Sequence, residues 1–130
     1  MIGVSMENSG RVPDYRNLTD RECLVLERLI QHGTPASKAY AERWSNVMVI
    51  SRCSCGCPTI DLAVSGAAAS LGSTSTILAE AGGVSPEGVK FGIILHARES
   101  LISELEVYPI DGDGVFALPE IDDIDFYHFS

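Results

Sequence analysis

Two stretches in which apolar and polar residues alternate, residues 89–97 and 101–108, constrain the fold most strongly. Alternation with a period of two predicts half-buried β-strands, and the short polar segment between them predicts a hairpin. Both strands can face one core if a three-residue loop at 98–100 pairs Ala97 with Leu101 and Ile93 with Leu105. Ile94 and Ile102 then lie on the outer face, which we expect loops or a second chain to cover in part.

An α-helix is predicted before this hairpin. Thr19 and Glu22 form a capping box at its start, and Gly33 marks its end. Thr34 and Pro35 predict the start of a second helix that reaches Trp44. Two helices joined by a tight turn form a helical hairpin.

Helices followed by strands indicate an α+β fold, in which the N-terminal helical hairpin packs on a mainly antiparallel sheet of four or five strands. Further strands are predicted at residues 47–50, 59–64 and 76–81; Gly82 and Gly83 follow the last of these and lead to a predicted turn at residues 85–88. We expect residues 1–17 to be a flexible N-terminal lead-in, with Met6 as an alternative start. Residues 18–130 are expected to form a single domain whose apolar C-terminal tail docks on the sheet.

The charge balance restricts the partners of the chain. Eighteen acidic residues and nine basic residues give a net charge of −9. Such a field repels nucleic acids and anionic lipids, and it favours a basic protein partner or a cation. No apolar stretch has the length of a signal peptide core or a membrane span, so we expect a cytoplasmic protein with reduced thiols. The oligomeric state is open, and a homodimer is one candidate.

Cys53, Cys55 and Cys57 are the candidate metal ligands. Tetrahedral zinc holds thiolates about 3.8 Å apart, whereas alternate residues of an extended strand lie about 6.5–7 Å apart. Ligation therefore requires the chain to fold back, which Gly56 allows. The candidates for a fourth ligand are Cys23, His32 and His96. If the segment is extended, its cysteines pack at a bend instead, and we favour this packing interpretation.

His96 and Glu104 form a second candidate site. A histidine beside a carboxylate can perform acid–base chemistry or bind a metal. A solvated surface pair is the more frequent outcome, and we favour it here. The Asp-Gly-Asp-Gly segment at residues 111–114 lacks the ligand series of a calcium-binding loop, so it indicates turns.

The segment from Cys53 to Thr59 and the segment from Ile102 to Tyr108 resemble those of a group of small bacterial proteins. That group shares a Cys-x-Cys-Gly-Cys-Pro segment and a Leu-x-Glu-Leu-Glu-Val-Tyr segment, and Ile102 stands where leucine is usual. The resemblance spans most of residues 20–120. It implies a bacterial cytosolic protein with one intact domain, and it implies no activity.

Three functions remain open at this stage. The first is a non-enzymatic, acidic protein-binding domain of the immunity type, favoured by the charge and by the lack of a nucleotide-binding or hydrolase motif. The second is a zinc-binding structural or regulatory domain that uses the cysteine cluster. The third is a thiol redox protein, which needs a cation or a helix N-terminus near a cysteine, and Arg52 is adjacent.

Overall fold

A computed structural model of the protein describes residues 10–41, 46–70, 72–110 and 115–127. These residues form a seven-stranded antiparallel sheet, one α-helix and two short 3₁₀-helices. The strands are β1 (Arg11–Asn17), β2 (Val47–Cys53), β3 (Ile60–Val64), β4 (Ser75–Val84), β5 (Lys90–Arg98), β6 (Leu101–Pro109) and β7 (Ile124–Phe126). Their order across the sheet is β1-β2-β3-β6-β5-β4-β7. The helix α1 spans Asp20–His32, and the 3₁₀-helices span Pro35–Tyr40 and Ile121–Asp123.

The predicted α+β fold, a helical hairpin on four or five strands, is wrong. Within the described ranges α1 is the only α-helix, and the predicted second helix is the six-residue 3₁₀-helix Pro35–Tyr40. The hydroxyl of Ser37 donates to the carbonyl oxygens of Ile30 and Thr34, at 3.0 and 2.7 Å, and such bonds compete with helical ones. The rest of that prediction, at residues 42–45, lies outside the described residues.

The sheet gains its extra strands at both edges. Residues 11–17, in the segment predicted to be a flexible lead-in, form β1, which pairs with β2 through Arg11 and Cys53. The strand could not be predicted from the sequence because it contains Pro13 and Asp14, and both residue types are rare in strands. At the other edge β7 pairs with β4, which confirms that the tail docks on the sheet. Residues 1–9 and 128–130 lie outside the described residues.

The capping box at the start of α1 is confirmed. The hydroxyl of Thr19 accepts a hydrogen bond from the N–H of Glu22, and the Glu22 carboxylate accepts one from the N–H of Thr19. Arg16 of β1 donates to both carboxylate oxygens of Glu22, at 2.8 and 3.0 Å. Burial disfavours the charged form of Glu22, but the bonds from Arg16 and Thr19 outweigh it and lower the pKa of Glu22.

Replacing Glu22 by glutamine is expected to make the free energy of unfolding less dependent on pH in the acidic range. A carboxylate whose pKa is lowered by folding stabilises the protein above its unfolded pKa, about 4.3, and that contribution is lost as the pH falls through the lower folded pKa. Glu22→Gln keeps a capping oxygen but loses the charge, so we expect a loss of about 1–2 kcal/mol at neutral pH. Below the folded pKa the two proteins should converge.

Urea unfolding at a series of pH values measures this effect. Glu27→Gln, on an exposed position of the same helix, is the matched control and should track the wild type. If Glu22→Gln also tracked the wild type at neutral pH, the ion pair with Arg16 would contribute nothing.

The end of α1 is fixed by a close approach to β4. The helix ends at His32, as predicted, but Gly33 has φ −79° and ψ −167°, an extended conformation rather than a left-handed one. The N–H and the hydroxyl of Thr34 both donate to the carbonyl oxygen of Leu78, at 2.8 and 3.1 Å. A Cβ atom on Gly33 would overlap that oxygen. Glycine is therefore required by lack of space.

The hydrophobic core lies between α1 and one face of the sheet, called here the inner face. Phe116 follows the last gap in the described chain and stacks on Phe91 of β5, with ring centroids 5.6 Å apart. The largest fully buried side chains include Leu26, Leu29, Leu62, Leu78, Phe91, Ile93, Leu95, Ile102 and Leu105. The opposite side of the sheet is called the outer face. In the described part of the chain, no helix has the length and apolar character to cross a membrane.

The β5–β6 hairpin differs in register from the prediction. Its turn has two residues, Glu99 and Ser100, with φ of 54° and 63°, as in a type I′ turn. The observed pairs are Arg98–Leu101, Ala97–Ile102, Leu95–Leu105 and Ile93–Val107. The predicted pairs Ala97–Leu101 and Ile93–Leu105 are wrong. Ser103 is an extra residue in β6, and this bulge reverses the alternation and turns Ile102 into the core.

The sheet has a seam between β3 and β6. The register there consists of two residue pairs, Ile60–Leu105 and Asp61–Glu104. On one side lies the three-strand half, β1–β3, and on the other the four-strand half, β4–β7. The hydroxyl of Thr59 strengthens the seam, since it donates to the carbonyl of Val107 at 2.9 Å and accepts from the N–H of Val107 at 2.8 Å.

Candidate functional site

The segment from the end of β2 to the start of β3, residues 53–59, brings three thiols together and is called the cysteine loop here. Gly56 has φ +94°, a conformation that favours glycine, and the chain folds back at this residue. The sulfurs of Cys53, Cys55 and Cys57 all lie within 4.8 Å of one another, and the first two are 2.8 Å apart. The segment is therefore not an extended strand. It has the folded-back conformation that metal ligation by these three residues requires.

Backbone groups support this arrangement. The N–H of Cys55 donates to the sulfur of Cys53 at 3.4 Å, and the N–H of Cys57 donates to the sulfur of Cys55 at 3.3 Å. Hydrogen bonds to a sulfur favour its charged form. On the far side of the loop, a Cβ atom on Gly56 would lie 3.2 Å from the side chain of Val115. The loop thus combines a left-handed residue with a tight contact, and both favour glycine at position 56.

The three thiols differ in acidity. Burial, together with the neighbouring thiols of Cys53 and Cys57, raises the pKa of Cys55 to about 12. Burial also disfavours the thiolate of Cys57, but hydrogen bonds from Thr59 and Cys55 outweigh it and lower the pKa of Cys57. Cys57 is therefore the first of this pair to ionise. A bound cation would favour the thiolate form of all three residues.

The predicted fourth ligands lie elsewhere. Cys23 is on α1 and lies outside the cluster formed by Cys53, Cys55 and Cys57, which is called the thiol group below. Burial together with the charges of Asp20 and Glu22 raises the pKa of Cys23. The ring of His32 contacts Phe126, with centroids 6.1 Å apart. His96 is on β5, in a separate polar group. In the described part of the chain, the thiols close enough to bind one metal ion together are thus those of Cys53, Cys55 and Cys57.

A cavity of about 530 Å³ adjoins the thiol group. Its wall includes Cys57, Arg52 of β2, and residues 19–22 at the start of α1, and Leu118 closes another side. Sequence reasoning missed this cavity because it is built from segments that are far apart in the chain. The Arg52 side chain predicted to lie near the cysteines lines the same cavity as Cys57, on the inner-face side of the loop.

The outer face carries a network of ion pairs around Glu104. Arg11 of β1 donates to one carboxylate oxygen of Glu104 at 2.9 Å, and Arg98 of β5 donates to the other at 3.2 Å. Arg11 also pairs with Asp61 at 2.9 Å. Both oxygens of this buried carboxylate are thus bonded to guanidinium groups. A metal ion at Glu104 would have to displace them.

His96 is opposite Glu104 in the register, but its hydrogen bonds go elsewhere. Its Nε2 lies 2.8 Å from a carboxylate oxygen of Glu106, and its Nδ1 is at hydrogen-bond distance from the hydroxyl of Ser75. The predicted His96–Glu104 pair therefore exists as a pair of neighbours within 4.8 Å, with Glu106 as the third member of the group. The predicted turn at residues 111–114 lies outside the described residues.

Comparison of the chain with protein-family models, with curated proteins and with solved structures gave no match. The resemblance based on the segments at Cys53–Thr59 and Ile102–Tyr108 stays a prediction. The thiol group is the arrangement of side chains in the described residues that most closely fits a known kind of site.

Proposed function

We propose that the protein binds a thiophilic metal ion, zinc in the first instance, through Cys53, Cys55 and Cys57. The observation that carries this proposal is the convergence of three sulfurs within 4.8 Å on a loop shaped by Gly56. Thiolates on tetrahedral zinc lie about 3.8 Å apart. The 2.8 Å between the sulfurs of Cys53 and Cys55 is shorter, so ligation would require these two sulfurs to move about 1 Å apart.

Sulfur chemistry selects the class of ion. Thiolates are soft ligands that prefer zinc and copper(I), whereas calcium and magnesium prefer oxygen. Three cysteines leave one position of a tetrahedral ion for water or another ligand. Cys57 is the residue through which the proposed site adjoins the cavity lined by Arg52 and Leu118. A small molecule in this cavity would lie beside the ion, as in zinc sites that keep one position open.

Zinc analysis of protein purified without chelator tests the proposal. We expect about one zinc ion per chain at neutral pH, and affinity that falls in acid because the thiols must lose their protons. Competition with a coloured chelator gives the dissociation constant. Cys55→Ser and Cys57→Ser should each raise it by about 100-fold or more, since a hydroxyl is a poor substitute for a thiolate ligand.

Cys23→Ser is the matched control, because it removes a half-buried thiol outside the group. It should leave both the zinc content and the dissociation constant unchanged. Substoichiometric zinc in the wild type, or equal losses from Cys23→Ser and Cys57→Ser, would refute the proposed site. Circular dichroism of each variant separates loss of the ligand from loss of the fold.

The lowered pKa of Cys57 and its place in the cavity wall favour a second candidate function, thiol redox chemistry at the same group. We expect iodoacetamide to alkylate metal-free protein faster at Cys57 than at Cys55, whose thiol stays protonated. Peptide mapping by mass spectrometry gives both rates, and added zinc should slow alkylation at both residues. Equally slow alkylation of all four cysteines in metal-free protein would exclude this function.

A further inference from the structure

Aromatic and acidic side chains cover part of the outer face, away from the thiol group. Register places two neighbouring rows of residues on this face. The first row is Tyr127, Glu80, Ile94 and Glu106. The second row is Asp125, Gly82, Gly92 and Tyr108. We name this patch the tyrosine–carboxylate face.

Two glycines in the middle of strands shape this face. Gly82 of β4 is paired with Gly92 of β5. A Cβ atom on Gly92 would overlap the ring of Tyr108, and one on Gly82 would overlap the hydroxyl end of Tyr127. The ring of Tyr108 therefore lies over the backbone of β5, and the hydroxyl end of Tyr127 lies over the backbone of β4. Glycine usually weakens a strand and often marks a close approach of another group, which here is an aromatic ring.

The tyrosines are accessible and their surroundings are acidic. Tyr108 is 36% exposed and Tyr127 is 50% exposed. Burial, followed by the charges of Glu80 and Glu106, raises the pKa of Tyr108. Ile77 and Val84 of β4 expose further apolar surface on the same side of the sheet, at 44% and 50%. Exposed apolar groups beside fixed charges are typical of a protein interaction site.

We propose that the tyrosine–carboxylate face binds an arginine- or lysine-bearing segment of a partner protein. A guanidinium or ammonium group over a tyrosine ring is attracted to the ring face. Glu80 and Asp125 supply negative charge at its rim, together with Glu106, one oxygen of which lies 2.8 Å from Nε2 of His96. The net charge of −9 attracts a basic partner from a distance. Lys90, two residues before Gly92 on β5, lies beyond Tyr108 and limits the acidic patch on that side.

Titration with a synthetic arginine-rich peptide, followed by nuclear magnetic resonance, tests this inference. The amide signals of Gly82 and Gly92 should shift on binding, whereas a glutamate-rich peptide of equal length should leave them in place. The double variant Glu80→Gln/Glu106→Gln should weaken binding by about tenfold or more. Tyr108→Leu should weaken it by about fivefold, the loss expected for one cation–π contact.

The matched control is Glu27→Gln/Glu87→Gln, which removes two exposed charges outside the face and so changes the net charge equally. It should change the dissociation constant by less than about twofold, since distant exposed charges are screened by salt. Gly92→Ala displaces the Tyr108 ring without removing a charge and should also weaken binding.

Equal weakening by the two double variants would show general electrostatic attraction and would overturn the proposal. Shifts confined to residues outside the face would do the same. Sedimentation analysis supplies a further criterion: a dimer that dissociates on Tyr108→Leu would identify a second copy of the chain as the occupant. Thermal unfolding checks that each variant is folded, and none of these measurements depends on zinc.

Discussion

Gly33→Ala is expected to destabilise the protein by about 4 kcal/mol. The added Cβ would overlap the carbonyl oxygen of Leu78, which is backbone and has little room to move. Forcing an extra carbon into a packed site costs about 1–3 kcal/mol. Separation of α1 from β4 would also weaken the two hydrogen bonds from Thr34 to Leu78, each worth about 1 kcal/mol.

Chemical denaturation of the wild type and of two variants separates these contributions. Thr34→Val removes the hydroxyl bond to Leu78 but keeps the backbone one, so it should cost about 1 kcal/mol. A Gly33→Ala protein as stable as the wild type would show that the end of α1 does not need this close approach. A loss no larger than that of Thr34→Val would assign the effect to the hydrogen bonds alone.

Leu95→Ala is expected to cost about 3–4 kcal/mol. Leu95 lies on β5, is fully buried and is paired with Leu105 at the centre of the sheet. Strands on both sides restrict collapse around the cavity that the truncation leaves, so the loss should lie well within the range seen for buried leucines. The free energy of unfolding, measured by denaturant titration, gives the effect directly.

Leu24→Ala is the control for this truncation. It makes the same chemical change at a helix position that is 44% exposed. We expect a change within about 1 kcal/mol, since little apolar area is buried there and alanine is a favourable helix residue. Similar losses for Leu24→Ala and Leu95→Ala would contradict the assignment of the core to the inner face.

Local chemistry made parts of the fold predictable. The capping box of Thr19 and Glu22 was found because its two hydrogen bonds need particular residue types three positions apart. Strands β2, β3 and β5 followed from β-branched or alternating apolar residues. The bulge at Ser103 could not be found this way, because a single unpaired residue leaves no mark on the surrounding composition. The same limitation produced the wrong register and the wrong face for Ile102.

Strand β4 shows a different limitation. The predicted strand stops at Ala81, before Gly82 and Gly83, yet both glycines lie inside the strand, which extends to Val84. The stabilising partners are Tyr108 and Tyr127, which lie over Gly92 and Gly82 and are remote from them in sequence. Composition therefore predicted an early end to a strand that tertiary contacts support as far as Val84.

The candidate site was predictable in its ligands and not in its surroundings. The spacing of Cys53, Cys55 and Cys57 identified the thiols, and strand geometry made their convergence depend on the conformation of Gly56. Cys23 was predicted as a fourth ligand because of its residue type alone, and the structure places it on α1, outside the thiol group. The cavity beside Cys57 depends on α1 and on Leu118, whose positions follow from the whole fold.

The narrow seam between β3 and β6 has a consequence for how the protein opens. The seam is held by two register pairs, the bonds of Thr59 and the ion pair of Arg11 with Glu104. We expect the three-strand half to separate there at a lower free energy than global unfolding requires. Amide hydrogen exchange in β2 and β3 would then be faster than in β5. Because the cysteine loop joins β2 to β3, an ion bound there would favour the closed form of that half by mass action.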